Sequence, residues 1–166
     1  WSWRPLADPE WITKAAAGQA HRIRPCLNFN QDCRAFTPHL HCGANPVTGR
    51  ERTGEFGELK PAAQKKRIAV IGGGPGGLEA ALTAAQRGHA VTVFEASSGF
   101  GGQFMYAASV PRRDRLRRLV DFQLSELRIM KAELRTGVAV TGPGDLGGDF
   151  DRIDIAGASA SGPDGP

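Results

Sequence analysis

The alternation of apolar and polar positions becomes regular only in the second part of the chain, from residue 67 to about residue 156. A short apolar run at 68–71 is rich in β-branched residues and predicts a buried parallel strand. A helix is predicted over 76–87, because its small residues suit close packing against a sheet. A second strand, predicted over 90–94, completes a strand, turn, helix, strand unit.

The pattern continues beyond this unit. An amphipathic helix is predicted over 112–133, and its apolar stripe should pack into a core. The stripe consists of Leu116, Leu119, Val120, Leu127 and Met130. Further strands are predicted over 134–140 and 150–156, with a glycine-rich loop at 141–148 between them. Together these elements predict an α/β fold with a partial Rossmann-type parallel sheet.

The first 66 residues show no comparable pattern. A short helix is predicted over 10–17, with Asp8 as its cap and Pro9 at its first position. The region after it is loop-like and ends in a polar linker, and the tail after residue 156 is poor in apolar residues and should be disordered. These patterns divide the chain into four parts: the start at 1–18, the loop-like region and linker at 19–66, the α/β region at 67–156 and the tail at 157–166.

Composition and charge exclude several classes of partner. At 166 residues the chain allows one ordinary domain, or a small domain with long flanks. The net charge is +4, with five arginines between residues 112 and 118. These arginines indicate a solvated helix face and no nucleic-acid partner, because no aromatic residues interleave with them and no nucleic-acid motif is present. Without an apolar run of about 18 residues or a targeting pattern, we expect no membrane partner and a cytoplasmic protein.

Three glycines follow the first predicted strand at G-x-G-x-x-G spacing: Gly72, Gly74 and Gly77. In a dinucleotide site the first allows a sharp turn, the second lets backbone approach a pyrophosphate, and the third lets the helix pack close to the sheet. The start of the helix, at Pro75 and Gly76, then directs backbone N–H groups at the phosphates. The spacing therefore predicts an anion site that needs no cationic side chain.

An acidic residue, Glu95, ends the second predicted strand, 18 residues after Gly77. In this fingerprint an acid at that place bonds the adenosine ribose hydroxyls. It would repel a ribose 2′-phosphate, so it favours FAD or NAD over NADP. We therefore predict that the chain binds an adenine dinucleotide, FAD or NAD(P), or ADP. The alternative is a glycine-rich turn without a ligand.

Three cysteines, Cys26, Cys33 and Cys42, lie in the loop-like region, together with His39 and His41. Thiolates and imidazoles are suitable ligands for iron or zinc. The cysteines are odd in number and contain no C-x-x-C pair, which argues against a disulfide framework. A metal site and free cysteines remain the two alternatives.

Several motifs in order resemble one protein family. They are R-P-L-A-D-P-E-W, I-R-P-C, N-Q-x-C, C-x-x-N-P-x-x-G-R-E, the glycine-rich unit and F-G-G-Q, spread from about Arg4 to Phe150. The chain resembles the multidomain flavin oxidoreductases typified by trimethylamine dehydrogenase and 2,4-dienoyl-CoA reductase, of the old yellow enzyme class. The resemblance implies an FMN-holding TIM barrel, an iron–sulfur loop, and domains for FAD and NAD(P)H in full-length members.

The same resemblance assigns roles to single residues. It places Gly102 and Gln103 of the G-G-Q turn against the FAD pyrophosphate. It also makes 1–18 the end of a barrel, where Arg4 matches an arginine that holds FMN phosphate; FMN itself is implied only for full-length members.

The resemblance aligns the three cysteines with the first, third and fourth ligands of an iron–sulfur cluster, as metal ligands of this chain. Phe29 occupies the second ligand position. Because phenylalanine cannot bind iron, the alternatives are a three-iron or histidine-completed cluster and a lost cluster.

The functional hypothesis is an FAD/NAD(P)-binding segment of a flavin-dependent NAD(P)H oxidoreductase. We expect no catalytic acid, base or nucleophile in it, because the cofactor carries the electrons. A barrel on a separate polypeptide would be its partner in turnover. The alternative hypothesis is a non-catalytic nucleotide-binding remnant of a truncated gene.

Overall fold

The computed structural model describes residues 4–35, 40–52, 57 and 59–156. The predicted disordered tail at 157–166 lies outside these residues, and so do Trp1, Trp3 and His39.

The N-terminal segment is made of short helices joined by turns. They are α1 (Arg4–Ala7), α2 (Trp11–Ala16), a 3-10 turn (Ala20–Arg22) and α3 (Asp32–Ala35). Helix α2 begins one residue later than predicted, with Glu10 before it. The Oδ1 of Asp8 accepts the N–H of Glu10 at 3.0 Å, so Asp8 caps the turn that leads into the helix. Asp8 is buried; its Oδ2 accepts hydrogen bonds from Lys14 Nζ at 2.7 Å and from the backbone N–H of Arg24 at 2.9 Å. These bonds join α2 to the segment that follows.

The second part of the chain forms the α/β unit that the sequence predicts. Its elements are β1 (Arg67–Ile71), α4 (Pro75–Gln86), β2 (Ala90–Glu95), α5 (Gln103–Ala108), α6 (Arg115–Ile129), β3 (Glu133–Thr136), a 3-10 turn (Pro143–Leu146) and β4 (Arg152–Ile155).

The four strands form one parallel sheet in the order β3-β2-β1-β4. Within it, Ile71 of β1 lies between Phe94 of β2 and Ile155 of β4, and Glu95 of β2 lies opposite Thr136 of β3. The carboxyl ends of the strands therefore share one edge, where the loops after β1 and β2 meet. This arrangement confirms the predicted α/β class.

The main core lies between one face of the sheet and helices α4 and α6. It contains Ile68, Val70, Val91, Val93, Leu78, Leu82, Leu119, Val120 and Leu127, all buried. The predicted apolar stripe of α6 is therefore core packing, although Met130 lies just past the helix end and is only partly buried. A smaller cluster covers the other face, where Phe150 packs edge-on against Phe94 with ring centroids 5.9 Å apart.

Several elements have bounds that differ from those the sequence predicts. Helix α6 is shorter than 112–133, because Arg112 and Lys131 adopt positive φ angles of 68° and 60° on either side of it. The third strand ends at Thr136; Val138 and Val140 leave the sheet and pack in the smaller cluster. Helix α5 was not predicted, and the glycine-rich loop contains a 3-10 turn.

None of the helices in the described part of the chain is long and apolar enough to cross a membrane.

Candidate functional site

The turn from β1 to α4 forms the centre of the site. Gly72 has a φ of 110°, a backbone conformation that favours glycine, and its N–H donates to the carbonyl of Phe94 at 2.8 Å. Pro75 is the first residue of α4, and the N–H of Leu78 donates to the carbonyl of Gly74 at 2.9 Å. The N–H groups of Gly76 and Gly77 precede that first intrahelical bond and can therefore meet an anion.

The glycines of this turn differ in the space around them. A Cβ on Gly77 would overlap the carbonyl oxygen of Gly72, so the third glycine is required for the helix to approach the strand. A Cβ on Gly74 or Gly76 would meet no atom within 4 Å. The space above the first turn of α4 is therefore open, as the approach of a pyrophosphate requires.

The carboxylate of Glu95 lies beside this turn at the end of β2. Its Oε2 accepts from the N–H of Gly73 at 2.7 Å, and its Oε1 accepts from the N–H and hydroxyl of Ser97 at 2.8 and 2.7 Å. Burial by itself raises the pKa of Glu95, but the bonds from Ser97, Gly73 and Ala96 outweigh it and hold that pKa below its ordinary value. Oε1 uses both of its lone pairs on Ser97, so Oε2 keeps the lone pair that a ribose hydroxyl could use.

The double-glycine turn contacts the same loop. The N–H of Gly101 donates to the carbonyl of Gly73 at 2.7 Å, and a Cβ on Gly102 would lie 3.4 Å from Cα of Gly74. Gly102 has a φ of 50° and caps α5, so the exposed Gln103 is the first residue of that helix. The structure thus brings Gly102 against the glycine-rich loop at 72–77, and the carboxylate of Glu95 contacts the same loop.

A buried polar network behind α4 was not predicted from the sequence. The Nε2 of Gln123, in α6, donates to the carbonyl of Pro75 at 3.1 Å and to Oε2 of Glu79 at 2.8 Å. Nη1 of Arg24 donates to the same Glu79 oxygen at 2.8 Å. In the sequence, the position of Gln123 next to the apolar stripe of α6 could have indicated this network, because a buried polar side chain needs hydrogen-bond partners.

A cavity of about 630 Å³ opens at the first turn of α4. Its wall is formed by Pro75 and Gly76, by Gln123, by Phe104 of α5, and by the loop at 41–50 of the N-terminal segment. It is large enough to hold a ring system and its linker.

The three cysteines line a separate small cavity of about 30 Å³, and all are free thiols. Cys26 Sγ donates to Oδ1 of Asn28 at 3.3 Å. Within the described residues, no group of three or more His, Cys, Asp or Glu side chains could hold a metal ion. Phe29 is 47% exposed beside the cysteines and supplies no ligand. The residues present therefore do not fit a four-cysteine cluster, and the metal role of the cysteines stays a prediction.

The remaining predicted residue, Arg4, begins α1 and is exposed. Its carbonyl accepts a hydrogen bond from the N–H of Asp8 at 2.8 Å.

Comparisons with known proteins show the family of the chain. Residues 35–140 match the family model of the pyridine nucleotide-disulphide oxidoreductases. The chain is 42% identical over 137 residues to an NADH oxidase of Thermoanaerobacter brockii, which is 80% of this chain and 21% of that protein. It is 41% identical over 135 residues to an N,N-dimethylglycine/sarcosine dehydrogenase of Chromohalobacter salexigens, 80% of this chain and 20% of that protein.

The fold also matches solved structures. The 6-hydroxypseudooxynicotine amine oxidase of Pseudomonas geniculata N1 superimposes with a TM-score of 0.84 at 32% identity, over 94% of this chain and 24% of that chain. The chain thus spans about a fifth of the length of the curated relatives it matches. These similarities confirm the resemblance to NADH:flavin oxidoreductases that the motifs indicate.

Proposed function

Because the chain belongs to the pyridine nucleotide-disulphide oxidoreductase family, we propose that residues 72–77, Glu95 and the turn at 101–103 bind FAD. The pyrophosphate lies at the N–H groups of Gly76 and Gly77, and the adenosine ribose lies at Glu95. The observation that carries this proposal is the open space above the first turn of α4, next to a carboxylate that bonds the N–H of Gly73 in the same turn.

The electrostatics of the site favour a dinucleotide without a 2′-phosphate. Glu95 already accepts three hydrogen bonds that stabilise its charged form, so it remains an anion at neutral pH. An anion repels a 2′-phosphate and attracts ribose hydroxyls as donors. We therefore place FAD, ADP and NAD ahead of NADP.

Bound FAD supplies the hydride and electron transfer, whereas the residues of this chain bind and orient it. As part of a longer enzyme, this segment would serve an NAD(P)H-dependent flavin oxidoreductase. We propose that turnover also needs a barrel holding FMN, on the same or on a separate polypeptide. The curated relatives are about five times as long as the matched segment, which supports a need for further parts.

We include a cytoplasmic location in the proposal. Cys26, Cys33 and Cys42 line one small cavity, and all three are free thiols. Nearby thiols persist in reducing compartments.

The proposed site is tested by a substitution that fills the open space without disturbing the fold. Gly74 has a φ of −71°, which alanine adopts easily, and an added Cβ meets no atom within 4 Å. We expect Gly74→Ala to unfold like the wild type but to bind ADP at least about tenfold more weakly, as measured by calorimetry. Gly142→Ala is the matched control, since its Cβ also meets nothing and it lies in the loop before the 3-10 turn. Failure of the folded wild type to bind ADP and FAD, or an unchanged affinity in Gly74→Ala, would contradict the proposal.

A further inference from the structure

Gln123 is a buried polar residue with one atom left unpaired. Its side chain is 1% exposed, and its Oε1 has no hydrogen-bond partner among the described residues. Buried polar atoms are normally paired, so an unpaired acceptor points to a group that the protein alone does not supply.

The orientation of this amide is fixed by its surroundings. Nε2 donates both to the carbonyl of Pro75 and to the carboxylate of Glu79, and neither of these groups can donate in return. A rotation of the amide by 180° would place Oε1 against two acceptors. The unpaired atom is therefore the oxygen, and its missing partner must be a donor.

The position of Gln123 indicates which part of a ligand that donor belongs to. Gln123 lines the 630 Å³ cavity, which begins at Pro75 and Gly76. These residues form the first turn of α4, where the proposed function places the pyrophosphate. Phosphate oxygens are acceptors at neutral pH, so a phosphate cannot be the partner of Oε1. The cavity is lined by Cys42 and Phe104 and not by Glu95. A dinucleotide with its adenosine ribose at Glu95 would therefore enter it with the half beyond the phosphates.

We propose that Oε1 of Gln123 accepts a hydrogen bond from the half of the dinucleotide that lies beyond the pyrophosphate. The donor is a hydroxyl of the sugar or an N–H of the attached heterocycle, which is a ring N–H in FAD and a carboxamide N–H in NAD. Gln123 thus makes the site prefer a whole dinucleotide over ADP. This inference rests on the proposed function, since it uses the same pyrophosphate position.

The test compares the affinities of three ligands for two proteins. ADP, FAD and NAD⁺ are titrated by calorimetry into the wild-type chain and into Gln123→Met, which keeps the length of the side chain without its amide. One neutral hydrogen bond corresponds to a loss of roughly three- to tenfold in affinity. We expect the affinity for FAD to fall by that factor more than the affinity for ADP, because ADP carries no group beyond its phosphates that could reach Oε1. An equal loss of affinity for NAD⁺ would indicate a donor of a kind that both ligands carry beyond the pyrophosphate, such as a sugar hydroxyl. An unchanged affinity for NAD⁺ would indicate a donor that only the flavin half of FAD carries.

A structural role for Gln123 would give a different result. Loss of its bonds to Pro75 and Glu79 would weaken all three ligands equally, because it would displace the first turn of α4; that outcome overturns the inference. Leu124→Met, on the same helix and only partly buried against the core, controls for a general change in packing. Failure of the wild type to bind ADP would instead contradict the proposed function itself.

A measurement on the wild type keeps the inference testable if Gln123→Met does not fold. The side-chain amide of Gln123 gives ¹⁵N–¹H signals in a protein labelled at glutamine. Binding of FAD should shift these signals away from their position in the ADP complex, since a bond to Oε1 polarises the amide. Identical signals in the two complexes would overturn the inference.

Discussion

At the scale of the residue, the charge of Glu95 links the fold to the ligand. The same carboxylate that the proposed ribose contact requires also accepts the N–H of Gly73, within the fingerprint loop. Its bonds to Ser97 hold the start of the next loop. Ionised Glu95 therefore prepares the loop for the ligand before the ligand arrives.

We predict that this contribution to stability depends on pH. The pKa of Glu95 in the folded chain lies below its ordinary value of 4.5, so the stabilisation is fully present above that value and is lost as the pH falls through the lowered folded value. Glu95→Gln cannot ionise, so the difference in unfolding free energy between wild type and variant should shrink from about pH 5 downwards. Urea denaturation at a series of pH values measures it. A difference that stays constant over this range would show that the charge contributes nothing.

At the scale of the element, the N-terminal segment is held against α4 and α6 by charged contacts. Arg22 forms a two-point contact with Glu126, at 2.8 and 2.9 Å. Arg24 pairs with Glu79 at 2.8 Å, with side chains 12% and 21% exposed. The segment therefore packs on the α/β unit, and the loop at 41–50 can form one wall of the cavity.

We predict that Arg24→Met destabilises the chain by about 1–3 kcal/mol, because it removes a charged hydrogen bond from a mostly buried carboxylate. It also removes the bond of Arg24 to the carbonyl of Ala44. Arg118→Met is the control, since Arg118 pairs with Asp114 on the exposed face of α6 and should change the unfolding free energy by no more than about 0.5 kcal/mol. If urea denaturation shows equal losses of unfolding free energy for the two substitutions, the contact of Arg24 does not hold the N-terminal segment against α4.

The cysteine loop leads to a further prediction at this scale. Only Cys26, Cys33 and Cys42 are available as thiolates, and Phe29 stands in the second ligand position. We expect anaerobic reconstitution with iron and sulfide to give no cluster with four irons and four sulfides per chain. Metal and sulfide analysis with an absorption spectrum checks this. A stable brown product of that composition would mean that a histidine or an external ligand completes the site.

Elements whose signal is local were predicted well from the sequence. In the unit from β1 to β2, neighbouring residues in the sequence determine the turn, the helix packing and the position of the acid. The predicted bounds of its strands and helix therefore agree with the structure within one residue. The ends of α6 were missed because Arg112 and Lys131 take positive φ angles without the glycine that usually marks them. The docking of the N-terminal segment was missed because it depends on pairs more than 50 residues apart, such as Arg24 with Glu79.

At the scale of the whole molecule, the described residues contain one place where a strand turns into a helix with this glycine spacing. The spacing recurs at Gly142, Gly144 and Gly147, but there the chain forms a 3-10 turn that leads to β4. Within the described residues, no α-helix begins directly after this second motif, so the motif forms no second site for a pyrophosphate. The site built by this chain can therefore anchor one dinucleotide.

We expect the 166-residue polypeptide on its own to show no NAD(P)H-dependent reductase activity. Hydride transfer requires the nicotinamide and the flavin ring to be held face to face, and such positioning lowers the barrier by roughly 7–11 kcal/mol. With one dinucleotide anchored, the second ring has no fixed place, so the rate should equal that of free flavin. Steady-state assays with NADH and NADPH, a dye acceptor, and added FAD and FMN measure this rate. Turnover well above the rate of free flavin would show that these residues position both rings, and would make the isolated chain an enzyme.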